Sequence, residues 1–293
     1  MAKKTAMRVP QEVREDKPEE ERKLGVVGKS WQEKAKKLDK IFNFVAAHTS
    51  HFVTLNDNSY VQSFDEELAK NSNLPLHVRP LRRRYYWGNS DLDGYKKGDK
   101  GKAEVRTEKK VGKGYWEMTL KLGSNKKSKK TLKRGEFKRA LDGFGVNLDV
   151  FKKAISIAAW KILGDKPLKP LAIIEGQSIP VLYHPDGRTD VIFEIKFDKG
   201  KGKTFDGHEE DVIEVEIEVK EKPKEMSECE VEALLDKSEA ILFGDFEDDL
   251  ERIYDAKPSR LFNHLVQWRG RDKKGFKEAF KSLPGDSWQT LSP

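Results

Sequence analysis

Several segments of the chain alternate apolar and polar residues with a period of two. The longest of these segments are residues 103–108, 115–122, 190–198 and 211–220. A period of two predicts β-strands that present one apolar face and one polar face. Shorter strands are predicted at residues 85–87, 171–174 and 180–183. The Gly/Lys-rich segment 199–203 is predicted to lie in the loop that joins the last two long strands.

Other segments have the start signals of helices. Ser30-Trp31-Gln32-Glu33 is a capping box, which predicts a helix that ends near residue 48. Asn147 is the N-cap of a second predicted helix, which ends near Gly164. Another capping box, Ser227-Glu228-Cys229-Glu230, opens a region predicted to be helical to the last residue. Together with the strands, these helices predict an α+β protein.

The composition limits the classes of protein that this sequence can represent. Six Trp, seven Tyr and fifteen Phe among 293 residues argue against a wholly disordered chain. The single cysteine, Cys229, excludes an intrachain disulfide framework and a zinc site built on cysteines. No apolar run is long enough to span a bilayer, and residues 1–16 lack a hydrophobic signal. We therefore expect a cytoplasmic protein without a membrane partner.

The segment 212–220 carries the strongest chemical signal. As a strand, it places Glu214, Glu216, Glu218 and Lys220 on one face, opposite a face of Ile and Val residues. Same-face neighbours are about 6.6 Å apart along a strand, so the carboxylates can share a divalent cation that prefers oxygen ligands. The alternative is an edge or outer strand whose charged face lies in water.

Further strands also combine an apolar face with a charged face. The strand 190–198 has Glu194, Lys196 and Asp198 on its charged face, and Arg106 and Lys121 belong to the charged faces of two earlier strands. One explanation is a barrel with helices outside and a charged lumen. Such a lumen suits a polyphosphate held with a divalent metal, because basic groups bind phosphate oxygens and carboxylates hold the ion. The net charge of +7 also favours an anionic partner.

A series of short motifs resembles that of the CYTH-type triphosphate tunnel metalloenzymes. Trp116-Glu117-Met118-Thr119-Leu120-Lys121 is similar to the family's Trp-x-Leu-Thr-Leu-Lys strand, and Glu214-Val215-Glu216-Ile217-Glu218 is similar to its late acidic hairpin. The other motifs that resemble the family's are Glu19-Glu20-Glu21-Arg22-Lys23, Tyr85-Tyr86-Trp87-Gly88, Ala103-Glu104-Val105-Arg106, Arg134-Gly135-Glu136-Phe137 and Pro258-Ser259-Arg260-Leu261. The sequence departs from the family where Glu104 replaces an arginine and Trp87-Gly88 replaces Asp-Thr.

This resemblance implies a fold and a division of the chain. The implied fold is an antiparallel eight-stranded β-barrel, a tunnel with a polar, charged lumen that surrounding helices cover. The tunnel domain would span residues 17–265, including C-terminal helices. Residues 1–16 would form a flexible basic arm, and residues 266–293 a helical C-terminal extension.

The resemblance also implies a set of site residues. Mg²⁺ or Mn²⁺ would be the cofactor, held by the carboxylates of Glu19, Glu21, Asp198, Glu214 and Glu216. Phosphate oxygens would be neutralised by the basic residues Lys23, Arg106, Lys121, Arg134, Lys196, Lys220 and Arg260. Glu218 and Lys23 are the catalytic candidates, and Glu218 would bind metal or orient a water molecule.

The implied function is metal-dependent hydrolysis of an inorganic or organic triphosphate, with a small triphosphate compound as the partner. Attack on the terminal phosphorus would be assisted by the ion and by the basic side chains. The alternatives within the family are a class IV adenylate cyclase and an RNA 5′-triphosphatase, which would bind an RNA 5′ end. A different class is a non-catalytic binding protein for polyphosphate or RNA ends. The sequence indicates no oligomeric state.

Overall fold

The computed structural model describes residues 13–15, 21–48, 52–53, 82–93, 95, 102–109, 115–123, 135–151, 166–254 and 257–283. Within these ranges the chain forms eleven strands and four α-helices. The strands are β1 (Val13–Glu15), β2 (Glu21–Val26), β3 (Phe52–Val53), β4 (Arg82–Gly88), β5 (Lys102–Lys109), β6 (Trp116–Gly123), β7 (Gly135–Leu141), β8 (Lys169–Tyr183), β9 (Ile192–Thr204), β10 (Glu209–Glu221) and β11 (Leu250–Arg252). The helices are α1 (Trp31–His48), α2 (Glu228–Phe243), α3 (Lys257–Arg271) and α4 (Lys273–Ser282).

The strands form one antiparallel sheet that is not closed into a barrel. Their order is β1-β7-β6-β5-β4-β8-β9-β10-β2-β11, with β3 paired to β8. Over the ranges given above, β1 and β11 end the sheet and no pairing joins them. The prediction of an eight-stranded closed barrel is therefore wrong. Alternation along a strand fixes which side chains share a face, whereas closure depends on the number, tilt and stagger of the strands.

The apolar face of the sheet is covered by α1 and α2 at one end and by residues that follow β7, such as Phe144, at the other. Along β10, the side chains of Ile213, Val215 and Ile217 are buried against residues of α1 and α2, such as Phe42 and Leu235. On the β4–β5–β6 side, a separate core of aliphatic and aromatic residues covers the same face. Burial of this face stabilises the sheet by roughly 1.5–3 kcal/mol for each large side chain.

Most helix and strand predictions were confirmed where the structure describes them. The region predicted to be helical from residue 227 onward is instead interrupted by a 3₁₀ segment, Gly244–Asp249, and by the strand β11. Ser30 Oγ accepts a hydrogen bond of 3.2 Å from Glu33 N, and α1 begins at Trp31. Ser227 and Glu230 form the capping box that starts α2. The two short strands predicted near residues 171–183 are one strand, β8. Of the helix predicted after Asn147, the structure describes only a 3₁₀ turn, Leu148–Phe151.

The prediction of a loop at residues 199–203 was wrong, because β9 continues to Thr204 and the turn follows it. Gly200 lies directly opposite Gly176 of β8, and an added Cβ atom on Gly176 would be 2.6 Å from the Gly200 Cα atom. Lys199 is buried, and its ammonium lies 2.8 Å from Asp39 of α1. In this strand the glycine allows β8 and β9 to approach closely, and the lysine forms a buried ion pair, although both residue types are typical of loops.

Two features of the structure bear on the predicted division into domains. In the arm predicted at residues 1–16, Val13–Glu15 pairs with β7 as β1, and the other residues of the arm lie outside the described ranges. The boundary predicted after residue 265 lies inside α3. None of the helices in the described ranges has the length and the apolar composition needed to cross a membrane.

Candidate functional site

The charged face of the sheet is built by strand register. Glu214, Glu216 and Glu218 of β10 lie opposite Asp198, Lys196 and Glu194 of β9, in that order. On the other side of β10, Glu216 lies opposite Lys23 and Glu218 opposite Glu21, both on β2. Because side chains directly opposite each other share a face, acids and bases from three strands meet on one surface.

Three carboxylates form the centre of this face, and we call Asp198, Glu214 and Glu216 the acidic triad. One oxygen from each lies within 4.8 Å of the others. Glu214 is 0% exposed and Asp198 5% exposed. Like charges this close repel in a buried setting unless cations neutralise them.

Two residues of α3 supply positive charge to the acidic triad. The Lys257 Nζ atom lies 2.5 Å from Asp198, 2.8 Å from Glu214 and 3.0 Å from Glu216. Arg260 Nη2 donates a hydrogen bond of 2.5 Å to Oε2 of Glu214. Residues 257 and 260 are three apart, so they project from the same side of the helix toward the sheet.

The protonation states of these groups follow from their neighbours. Burial opposes the charged form of Glu216, but Lys257 and Lys196 outweigh it and hold the pKa of this carboxyl well below its usual range. Burial also opposes the charged form of Lys257, but Asp198 and Glu214 raise the pKa of its ammonium well above the usual value. Lys257 and Glu216 are therefore both charged at neutral pH.

A second charged cluster continues along β9 and β10. Lys196 donates a hydrogen bond to Glu218 and lies 3.1 Å from Glu194. Lys220 lies 2.8 Å from Glu194 and 3.0 Å from Glu218. Burial opposes ionisation of Glu218, but the two lysines lower the pKa of this carboxyl to about 2. Glu218 is thus a weak base that stays ionised.

Arginines from the other half of the sheet share this face. Arg82 and Arg84 of β4 lie 2.6 Å and 3.3 Å from the carboxylate of Glu108 on β5. Burial alone would lower the pKa of Arg84, but Glu108 and other anions, among them Asp198, raise it. The guanidinium of Arg84 is therefore within electrostatic reach of the acidic triad.

A cleft lies between the arginines of β4 and Asp198 of the acidic triad. Its walls include Arg82, Arg84, Asp198 and Lys257. Its lining also includes Gly176 and Gly200, which contribute only backbone, and the apolar side chains of Ile174 and Val212. The cleft therefore has cationic side chains on two sides of a stretch of glycine backbone, and these cationic sides can pair with the oxygens of a small anion.

Most of the predicted site residues lie on this one face. The structure brings together the following predicted residues on β2, β9, β10 and α3: Glu21, Lys23, Lys196, Asp198, Glu214, Glu216, Glu218, Lys220 and Arg260. Arg106 and Lys121 lie farther along the sheet, where they are 3.5 Å and 3.9 Å from Glu136. Glu19 and Arg134 lie outside the described residues.

Four residues of the site were not predicted from the sequence: Lys257, Arg82, Arg84 and Glu108. One available signal was the run of three arginines directly before Tyr85, since alternation along a strand places the first and third on one face. Another was the spacing of Lys257 from Arg260, one helical turn, once a helix is predicted there. Neither signal identifies the acidic triad as the partner.

The donors of the acidic triad fit a divalent cation. Carboxylate oxygens are the ligands that Mg²⁺ and Mn²⁺ prefer, and three of them converge here within 4.8 Å. Oε1 of Glu214 is buried and, among the residues that the structure describes, has an ionic contact but no hydrogen bond. The Lys257 ammonium lies in the space that such an ion would take.

Comparisons with known proteins give little further information. No protein-family model matches the sequence, and no curated protein matches it. Among solved structures, the chain is similar to the PH1819 protein from Pyrococcus horikoshii OT3, with 15% sequence identity and a TM-score of 0.35. The match covers 83% of this chain and 99% of that chain. A TM-score this low does not show that the two chains share a fold.

Proposed function

We propose that this protein hydrolyses a triphosphate compound with the help of Mg²⁺ or Mn²⁺, as the resemblance to the CYTH-type enzymes implies. One observation carries the proposal: three carboxylates converge, and one of them, Asp198, lines a cleft together with Arg82 and Arg84. A bound triphosphate needs both kinds of group, because basic side chains pair with its oxygens and carboxylates hold the ion that bridges them. The open sheet is compatible with this chemistry, since the cleft does not require a closed barrel.

Each group has a role in the proposed reaction. Asp198, Glu214 and Glu216 would hold the cation, which would neutralise phosphate charge and activate water when bound. The arginines of β4 and Lys196 would bind phosphate oxygens and stabilise the charge that develops during transfer. Water would attack the terminal phosphorus, and the anhydride bond would break to give phosphate and the shortened phosphate chain.

Glu218 fits the orienting role better than that of a proton acceptor. Its pKa of about 2 makes it a poor match for proton abstraction near neutral pH. Lys196 and Lys220 hold its carboxylate in place, so it can accept a hydrogen bond from a positioned water molecule. Lys23 lies 2.7 Å from Glu21 and 3.7 Å from Glu216, where it can reach a phosphate oxygen beside the acidic triad.

The test is release of phosphate from tripolyphosphate, ATP, thiamine triphosphate and 5′-triphosphate RNA with Mn²⁺ or Mg²⁺. We expect release from at least one of them, and at least a hundredfold loss of rate, roughly, in Glu216→Gln. The control is Glu209→Gln, an exposed position on the same strand, which should keep the wild-type rate. Absence of release from every substrate, or full activity in Glu216→Gln, would refute the proposal. With ATP, diphosphate and a cyclic nucleotide as products would indicate the cyclase.

A second candidate function is binding of polyphosphate without turnover. It is favoured by Lys257, which contacts all three carboxylates of the acidic triad without any metal, and by Glu104 in the place of a family arginine. A binder of this kind would show affinity for tripolyphosphate in EDTA by calorimetry and no phosphate release with Mn²⁺. Release that requires the metal would exclude this candidate.

A further inference from the structure

Lys257 occupies the centre of the acidic triad in the way a bound cation would. Its Nζ atom is 2.5–3.0 Å from all three carboxylates. Lys257 is the first residue of α3. This helix is anchored on the sheet by the buried side chains of Leu261, Phe262 and Leu265. The ammonium is therefore a cation tethered to a fixed support.

A divalent cation and this ammonium cannot be in the acidic triad together. Protein oxygens lie about 2.0–2.6 Å from Mg²⁺ or Ca²⁺, so an ion bound to all three carboxylates would lie where Nζ lies now. If the metal ion and the ammonium were both among the carboxylates, they would be so close that they would repel strongly in this buried site. Metal binding therefore requires Lys257 to leave the carboxylates.

The structure provides a place for the displaced ammonium. Lys257 also lines the cleft whose other wall holds Arg82 and Arg84. A phosphate group in that cleft would be an anionic partner within reach of the lysine side chain. A metal–triphosphate ligand brings both halves of the exchange, a dication for the carboxylates and an anion for the ammonium.

We infer that Lys257 is an exchangeable internal cation, which a divalent metal replaces in the acidic triad and which then pairs with a phosphate of the same ligand. The identity of that ligand rests on the proposed function, whereas the displacement by metal does not. Metal alone should bind weakly, because the expelled ammonium has no new partner. Metal and polyphosphate should each strengthen the binding of the other, since linkage is reciprocal.

The test measures Mn²⁺ binding by electron paramagnetic resonance, without any phosphate. Lys257→Met should bind Mn²⁺ at least about tenfold tighter than the wild type, because the competing ammonium is gone. The matched control is Arg260→Met, which removes a positive charge that touches Glu214 but leaves the centre of the acidic triad occupied. Lys257→Arg, which keeps a cation there, should bind Mn²⁺ as weakly as the wild type.

Equal tightening in Lys257→Met and Arg260→Met would overturn the inference, because it would reflect net charge and not exchange. If Lys257→Met does not fold in EDTA, Mn²⁺ should restore its folded circular dichroism spectrum, and failure to do so would also overturn it. Phosphate release plays no part in these measurements. Failure of the exchange and failure of the proposed hydrolysis are therefore distinguishable.

Discussion

The close contact between β8 and β9 gives the sharpest prediction for stability. Gly176 and Gly200 lie opposite each other, and each occupies a position where any Cβ atom meets backbone. In Gly176→Ala the new methyl group would be 2.5 Å from Lys199 O and 2.6 Å from the Gly200 Cα atom. Both are backbone atoms in the middle of the sheet, so the strands themselves must separate to admit the methyl group.

Overpacking of this kind destabilises a fold by about 1–3 kcal/mol, and contact with backbone places Gly176→Ala near the upper end. For a protein of 293 residues, about 3 kcal/mol lowers the melting temperature by roughly 5 °C. Differential scanning calorimetry measures the change. The control is Gly244→Ala, because Gly244 has φ −56° and nothing lies within 4 Å of an added Cβ atom. That change should raise stability by about 0.4–1 kcal/mol.

A melting temperature in Gly176→Ala within 1–2 °C, roughly, of the wild type would refute the reasoning. It would mean that β8 and β9 are not paired in this register or that they separate at little cost. A similar loss in Gly244→Ala would show that the effect does not come from the strand contact.

Two further predictions concern the charged face and the helix that covers it. Against the opposing effect of burial, Lys196 and Lys220 lower the pKa of Glu218 from 4.5 to about 2. Ionisation of Glu218 therefore contributes about 3 kcal/mol to the free energy of unfolding. This contribution is present above pH 4.5 and is lost as the pH falls toward 2. The free energy of unfolding measured in urea should fall over that range. A Glu218→Gln variant with the same acid dependence as the wild type would contradict the assignment. Phe262 is buried and stacks on Tyr95 at 3.6 Å, so Phe262→Ala should destabilise the protein by about 3–5 kcal/mol. Hydrogen exchange should quicken in α3, and unchanged protection there would show that the ring does not anchor the helix.

The strands that frame the site could be predicted because their signal is local. In β10, alternation of Ile and Val with Glu fixes the two faces, and the predicted charged face is the observed one. Asp198 and Lys196 followed from the same rule on β9. This period-two signal depends only on residues within one strand, and tertiary packing has little freedom to change it.

The parts that could not be predicted depend on contacts between distant segments. Lys257 is separated from Asp198 by 59 residues, and only the docking of α3 brings it to the acidic triad. The loop prediction at residues 199–203 failed because glycine and lysine are typical of turns, whereas here Gly200 is required by the nearby backbone of β8. Closure of the sheet likewise depends on whether the two outermost strands, β1 and β11, pair with each other. The alternation of residues within a strand gives no information about that pairing.

The central claim is that the acidic triad and the β4 arginines bind one metal–phosphate ligand. The direct measurement is anomalous diffraction from crystals soaked with Mn²⁺ and a non-hydrolysable imido analogue of tripolyphosphate. We predict a manganese peak among Asp198, Glu214 and Glu216, with phosphate density between Arg84 and a displaced Lys257. Manganese or analogue bound only elsewhere, with the Lys257 ammonium still between the three carboxylates, would contradict the account.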